Sequence, residues 1–493
     1  MGKTRMLACD LGASNGRVFL GIYEDDKLII EEIFRFSNDP VRINGRLYWD
    51  VLKLFSEIKR GIAKCKNIGH ENISSIGIDT WGVSFGLLDE CDDLIGNPFH
   101  YRDNHADGIM EKVFDMVGKS ELFEMTGLQP ANINTLFQLF SLLQSKPLLY
   151  KNAKTLLMTP DLLNFFLTGK KASEFTISST TQLLNIRTGE WARELTSELE
   201  IPDEIFPDLV KPGTILGGIH PEIKEELGIN DISVICVAGH DTASAVAALP
   251  LSEEKSAYII CGTWSVLGTE LKKPIINNKV LSSNFTNEGG VDGTVRLLRN
   301  LTGLWVLQEC KKHWELSGQV ISYGSLDKMA EDAKSFVAVI DPDDTIFFEP
   351  GDMPRKVKRY CLNTGQHEPE TVGEMTRCIF ESLALKYRYV LGLLESLTDR
   401  KFQVIYMTGG GIQSHLLCQL ISDATQREVV TGPIEATVFG NLAVQGIALG
   451  KISGIDHARK IVQDSSVITK YHPKCESLWD IAFCKAIKFY END

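Results

Sequence analysis

Short apolar runs that stop abruptly at turns of Gly, Asp, Thr or Ser recur along the chain. Met6–Cys9 runs into Asp10-Leu11-Gly12-Ala13-Ser14-Asn15-Gly16, returns over Arg17–Tyr23, and after the acidic turn Glu24-Asp25-Asp26 continues over Lys27–Phe36. Ala257–Cys261 runs into Gly262-Thr263-Trp264-Ser265 and returns over Val266–Leu271. A strand, a glycine loop and a returning strand, met twice at about half the chain length, predict two similar domains. Further strands are expected at Ile73–Ile78, Thr155–Met158, Val234–Ala238 and Phe402–Met407, each followed by polar or glycine-rich turns. Helices are expected over Leu162–Leu167, Ala243–Ala248 and Ser414–Ala424. Glu374–Leu397 places Ile379, Leu383, Tyr387, Val390, Leu391 and Leu394 at three- and four-residue spacing, the period of a long amphipathic helix. Val295–Trp314, with Leu298, Leu301, Leu304, Trp305 and Leu307, reads as mostly core helix with Asn300 and Gln308 on its surface. Strands alternating with helices make an α/β protein.

The chain has 493 residues, too many for one ordinary core, and Pro250-Leu251-Ser252-Glu253-Glu254-Lys255 is the best linker. Domains of 1–249 and 250–493 are expected, with the last few tens of residues packing back on the first. A hydrophobic share of 43% and a charged share of 24% belong to a globular protein. A net charge of −14 argues against a nucleic-acid or anionic-membrane surface, though local amides and cations can still hold a phosphate. No run approaches the ~20 apolar residues of a membrane span, and the opening residues lack a signal-peptide core. The eleven cysteines include no C-x-x-C pair, and Cys9, Cys236 and Cys261 sit in apolar strands. Free thiols, no zinc and a cytosolic setting are the expectation.

Chemistry concentrates where strands end, the usual ligand edge of α/β sheets. Asp10-Leu11-Gly12-Ala13-Ser14-Asn15-Gly16-Arg17 joins an acid suited to hydrated magnesium to donors suited to phosphate; it also reads as a β-turn with local hydrogen bonds. A P-loop sequence is absent, and Gly409-Gly410-Gly411 reads as a tight turn or a cofactor loop. Asp241, in Gly239-His240-Asp241-Thr242, either accepts a proton from a substrate hydroxyl or caps the following helix. His240, a single histidine in such a turn, reads as hydrogen-bonding locally; Asp79 carries the same ambiguity as Asp241, and Trp81 suits packing. Asn284-Phe285-Thr286-Asn287-Glu288-Gly289-Gly290 reads as a polar loop facing a cleft.

Together, Asp10-Leu11-Gly12-Ala13-Ser14, Gly77-Ile78-Asp79-Thr80-Trp81-Gly82-Val83, His240-Asp241-Thr242-Ala243-Ser244-Ala245 and Gly262-Thr263-Trp264-Ser265 resemble the FGGY carbohydrate kinases. Asn284–Val291, Gly303-Leu304-Trp305 and Gly409-Gly410-Gly411 extend the resemblance, which runs from about residue 6 to residue 475. It implies two RNase-H-like (actin-like ATPase) α/β domains around a cleft, and ATP with Mg2+ as the phosphoryl source. The branch it points to phosphorylates L-rhamnulose on O1; L-fuculose or L-xylulose, or an inactive sugar sensor, are the alternatives. By the resemblance Ala13, Ser14, Asn15, Gly16 and Arg17 line the phosphates and Asp10 lies near magnesium. Thr263, Gln308 and Gly410 fall at ATP-contacting positions. Gly82, His240, Thr242 and Asn300 fall at sugar-contacting positions, and Asp241 at the catalytic base. Partners are then a small sugar and ATP, with no nucleic acid and no membrane. Ser84 and Gly239 depart from the pattern, where an acid and a Thr are expected, and put the particular sugar in doubt.

Overall fold

The computed structural model describes residues 3–70, 72–474 and 477–490. By the packing of its backbone the chain divides into unit 1, residues 1–250, 271–297 and 436–466, and unit 2, residues 251–270, 298–435 and 467–493.

Unit 1 is built on strands Thr4–Leu11 (β1), Asn15–Glu24 (β2), Lys27–Ser37 (β3), Ser75–Thr80 (β4), Thr214–Gly218 (β5) and Ser233–Cys236 (β6), ordered β5-β6-β4-β1-β2-β3. β1 pairs antiparallel with β2 and parallel with β4, and β4 pairs parallel with β6. β1 and β4 are buried almost throughout, as strands covered on both faces must be. On one face lies helix Val51–Asn67, started by the Asp50 carboxylate accepting from Lys53 N–H. Its Val51, Leu54, Ile58 and Ile62 are fully buried, each worth roughly 1.5–3 kcal/mol over exposure. Gly61 is what lets it lie so close: a Cβ there would sit 2.6 Å from Val18.

Against the other face packs helix Ala436–Ala448, which also abuts helix Asp241–Ala247. At that second contact a Cβ on Gly440 would overlap the Ser244 carbonyl oxygen. Residues between β4 and β5 build an apolar cluster of their own, with Leu136, Phe137, Leu139, Leu156, Ile177, Leu183, Leu195 and Leu199 at its centre.

Unit 2 carries strands Ser256–Cys261 (β7) and Trp264–Leu271 (β8). The chain then passes through Thr286–Gly289 (β9), in unit 1, into Val295–Thr302 (β10), whose last five residues belong to unit 2. Val404–Thr408 (β11), Glu428–Thr431 (β12) and Thr469–Tyr471 (β13) complete a seven-stranded order β9-β10-β8-β7-β11-β12-β13. β7 pairs antiparallel with β8 and parallel with β11, β11 parallel with β12, and β13 antiparallel with β12. Apart from β9 the order matches that of unit 1, except that β13 follows β12 in the chain whereas β5 precedes β6. Helix Val372–Thr398 is the long helix expected, opened by a reciprocal Thr371–Glu374 capping box.

One expected helix is corrected. Val295–Thr302 is strand, and the helix begins only at Trp305 and runs to Leu316. The break is Gly303, where a Cβ would sit 2.4 Å from the Gly262 carbonyl oxygen, so the chain turns tightly there. Asn300 is therefore an exposed strand residue.

Among the described residues no helix is long and apolar enough to cross a membrane. Cys475 lies outside the described residues. Cys361 and Cys378, both buried in unit 2, lie near enough for each thiol to shift the titration of the other, a proximity their spacing in sequence does not announce. Thiol titration of the denatured, unreduced protein is expected to find all eleven groups free. A deficit of two would show a disulfide, with this pair the first to check by peptide mapping.

Candidate functional site

Two carboxylates end the central parallel strands side by side, since Asp10 of β1 is in register with Asp79 of β4. Asp10 also faces Arg17 across the β1–β2 hairpin and is paired with its guanidinium. Asp79 is fully buried. Burial first, and the neighbouring Asp10 charge second, push its carboxyl well above the usual carboxylate range. Its Oδ2 accepts from Asn441 Nδ2 at 2.6 Å, while Oδ1 has no hydrogen-bond partner among the described residues.

Asn441 is one rung of a buried polar ladder. Gln445, one turn further on, donates to Asn441 Oδ1 at 2.7 Å and to the Leu7 carbonyl at 2.9 Å, and accepts from Ser75 Oγ at 2.6 Å. The ladder fastens helix Ala436–Ala448 to β1 and β4 behind the two acids.

The loop from Gly12 to Gly16 is closed by Gly12 N–H donating to the Asn15 carbonyl. It is held to the end of β3 by Asn38, which donates Nδ2 to the Gly12 carbonyl and its backbone N–H to the Ser14 carbonyl. Ser14 is exposed, and Ala13, Asn15 and Arg17 are half-buried. Gly16 has no room for a side chain, because Phe36 would lie 2.3 Å from its Cβ.

Beyond β6 the chain bridges Thr80 to His240, and Thr80 N–H donates to the Gly239 carbonyl. This puts His240-Asp241-Thr242 at the same sheet edge as Asp79, with Gly82 two residues past Thr80. Asp241 starts helix Asp241–Ala247; its Oδ1 accepts from Thr242 N–H at 2.5 Å, and a third of its side chain (33%) is exposed. Burial raises the Asp241 carboxyl; the His240 charge pulls it down in part, and Asp10 raises it further. Thr242 Oγ1 lies 2.7 Å from His240 Nε2.

Behind these residues stands Glu174, wholly buried, whose carboxylate accepts from Gly239 N–H at 2.9 Å and from Thr176 Oγ1 at 2.6 Å. A Cβ on Gly239 would meet Glu174, Pro160 and Ile177 at 3.1–3.3 Å. A side chain there would need these neighbours to give by a few tenths of an ångström. Ser84, the other departure, is 1% exposed and accepts from the indole N–H groups of Trp49 at 3.1 Å and Trp81 at 3.0 Å. Trp81 packs against Trp49, with ring centroids 4.0 Å apart.

In unit 2 Thr263 and the glycines of Gly409–Gly411 follow adjacent parallel strands, β7 and β11, and so lie at one sheet edge. Thr263 Oγ1 donates to Gln308 Oε1 at 2.9 Å, and Gly303 and Trp305 N–H both donate to the Thr263 carbonyl. Gly409 has φ +86°, and a Cβ there would be 2.6 Å from the Cys261 carbonyl, whereas Gly410 faces open space. Thr263, Gln308 and Gly410 are thus gathered, with Trp264 exposed between the strands.

Sequence reasoning left unassigned Glu174, Arg296, Asn441 and Gln445, and saw Glu288 only as part of a polar loop. The one available signal was Asn441 and Gln445, four apart on one face of an otherwise apolar helix.

Family comparison agrees with this geometry over most of the chain. Residues 5–248 match the N-terminal domain, and residues 257–449 the C-terminal domain, of the FGGY family of carbohydrate kinases. The chain belongs to that family. A rhamnulokinase of Bacteroides thetaiotaomicron is 41% identical over 481 residues, covering 98% of each chain. One of Halalkalibacterium halodurans is 42% identical over 465 residues, covering 94% of this chain and 98% of its own. Among solved structures, a xylulose kinase from Rhodospirillum rubrum superposes with a TM-score of 0.82 at 15% identity, covering 100% of this chain and 99% of its own. A gluconate kinase from Lactobacillus acidophilus gives 0.81 at 18%, covering 100% and 97%. These likenesses carry the fold.

Replacing Asn441 by Leu keeps the size and removes the donor to Asp79. The expected loss is about 1–3 kcal/mol, the cost of a buried acceptor left unpaired. It should read as a lower denaturant midpoint for unit 1 at unchanged slope. A midpoint equal to wild type would mean that Asp79 does not depend on this amide.

Proposed function

We propose that this chain is an ATP-dependent kinase that phosphorylates L-rhamnulose on O1, acting in the cytoplasm. The observation that carries the reading is Asp241: a part-exposed carboxylate at a strand end, flanked by His240 and Thr242, on the same edge as Asp10 and Asp79. The rhamnulokinase names of its relatives support the sugar.

Asp241 accepts the proton of O1 as that oxygen attacks the γ-phosphorus of ATP; the bond to the β-phosphate oxygen breaks and ADP leaves. Phosphoryl transfer asks the protein for alignment and charge compensation more than for covalent help. Gly82, His240, Thr242 and Asn300 are the sugar contacts in this reading. Ala13, Ser14, Asn15, Gly16 and Arg17 hold the phosphates, and Thr263, Gln308 and Gly410 the rest of the nucleotide. Magnesium fits the residues present: it uses one or two carboxylates and leaves its other positions to water and phosphate, and Asp10 with the unpartnered Asp79 Oδ1 offers that set. When bound it neutralises phosphate charge.

Neither departure from the family pattern speaks against L-rhamnulose. Ser84 spends its hydroxyl on two indoles, and Gly239 lies at a tightly packed position beside Glu174. Coupled ADP-release assays over L-rhamnulose, L-fuculose and L-xylulose are expected to give L-rhamnulose the highest kcat/KM. Another ketose ranking first would remove the substrate and leave the kinase.

Asp241→Asn is expected to bind ATP as the wild type does and to lose ~10²–10⁴-fold in turnover, the worth of a positioned general base. The sign of the pH dependence follows from the raised carboxyl. The base works only when ionised, so kcat/KM climbs with pH through a value above the ordinary carboxylate pKa of about 4. That acid limb should be absent from the residual activity of Asp241→Asn. Near wild-type turnover in the mutant would leave Asp241 as the first residue of a helix and no more.

A further inference from the structure

The polar loop that leads into β9 and β10 delivers two charged side chains to the back of His240. Glu288 is the third residue of β9 and Arg296 the second of β10, and both are buried. Arg296 is wholly inaccessible, donates Nε to the Gly289 carbonyl at 2.9 Å, and holds Glu288 Oε2 with Nη2 at 3.0 Å. The same Glu288 oxygen lies 3.3 Å from His240 Nδ1. Burial by itself would raise the Glu288 carboxyl, but the His240 hydrogen bond and the Arg296 charge outweigh it and hold the group below its ordinary value. The imidazole Nε2 lies 2.7 Å from Thr242 Oγ1 and 3.5 Å from Asp241 Oδ1, and the same Thr242 hydroxyl is 3.2 Å from Nδ1.

We propose that Glu288, clamped by Arg296, is a positioning residue that accepts the Nδ1–H of His240 and so fixes which face of the imidazole meets Thr242, Asp241 and the sugar. The proposal rests on the reading of Asp241 as base and His240 as sugar contact given above.

Two other partners approach the same Nδ1, the Thr242 hydroxyl at 3.2 Å and an Arg296 N–H. Arg296 Nη2 is 3.1 Å from His240 Nδ1, and could donate to it if that nitrogen were bare. Arg296 Nη2 has a hydrogen for each contact, but a bare Nδ1 would turn its lone pair on a carboxylate oxygen 3.3 Å away. A protonated Nδ1 gives the carboxylate a second charge-assisted donor. The hydrogen bond at one ring nitrogen then decides what the other can do, which is how histidines are commonly set in sites. With Nδ1 protonated, neutral His240 offers Nε2 as an acceptor, to the Thr242 hydroxyl at rest or to a sugar hydroxyl in its place.

The test uses the full chain labelled with 15N-histidine, with the His240 signals assigned by their loss in His240→Gln. Two-bond nitrogen–proton spectra of the wild type should show Nδ1 protonated. Glu288→Gln keeps the shape and removes the charge; it should shift His240 toward a mixture of tautomers. It should also lower ketose kcat/KM on the order of 10–100-fold, the usual cost of losing the residue that orients a site histidine, with the KM for ATP unchanged. In a His240→Gln background the same substitution should cost nothing further, because Glu288 acts through that ring. A bare Nδ1 in the wild type overturns the proposal, as does an equal loss from Glu288→Gln in both backgrounds. If Glu288→Gln does not fold, the wild-type spectrum still decides. If Asp241→Asn keeps full turnover, the site reading fails by itself, and the spectrum still tells whether Glu288 holds His240.

Discussion

The structure of unit 1 turns on holding two carboxylates next to each other at the ends of neighbouring parallel strands. Register makes Asp10 and Asp79 partners, and water cannot reach Asp79. A charge placed so is costly unless it is neutralised, paired or given donors. Asp10 has Arg17 from the next strand. Asp79 has one amide, from Asn441, and a carboxyl pushed well above its ordinary range. The amide comes from far along the chain, so the packing of helix Ala436–Ala448 and the condition of the acid are one problem. Gly77, Gly21 and Gly440 lie where a Cβ would strike that helix or its neighbour, and their lack of side chains admits it.

A second buried acid does the corresponding work for the His-Asp-Thr turn. Glu174 receives the amide of Gly239 and organises Thr176, whose hydroxyl takes His240 N–H at 3.3 Å. The turn thus rests on a side chain that has no access to a substrate. A side chain at 239 would press on Glu174, Pro160 and Ile177, which would have to give by a few tenths of an ångström, so the departure from the family pattern lies at a tightly packed position. Ser84 is similar: an acid there would have to receive two indole N–H groups, and the serine oxygen already does so.

Much of the fold was legible because strands and glycine loops are local. Thr155–Met158 is a strand as read, and β1 to β3, β7, β8 and the long helix match within a few residues. Leu298 to Trp305 misled because apolar residues at three- and four-residue spacing occur in a buried strand too; only the approach of Gly303 to Gly262 separates the strand from the helix. The sheet-edge residues of unit 1 were legible as strand ends. Their supports were not, since Glu174, Arg296, Asn441 and Gln445 look like ordinary polar residues until the chain is folded. What gives them meaning is a hydrogen bond spanning tens or hundreds of positions, and no local pattern encodes that.

The shared strand plan also shows how one architecture was given two chemistries. Counting back from the first loop glycine of each hairpin, Gly12 and Gly262, Asp10 corresponds to Ile260. The parallel partners are Asp79 in unit 1 and Thr408 in unit 2. Where unit 1 sets two carboxylates side by side, unit 2 sets a branched alkyl group and a hydroxyl that donates to the Pro433 carbonyl. The edge of unit 2 keeps the glycines, the threonine–glutamine hydrogen bond and an exposed tryptophan. In the proposed reading that edge takes the part of the nucleotide away from its phosphates. Acid–base and cation chemistry in that reading fall to unit 1, where the Asn441–Gln445 ladder stands behind the two strand-end acids.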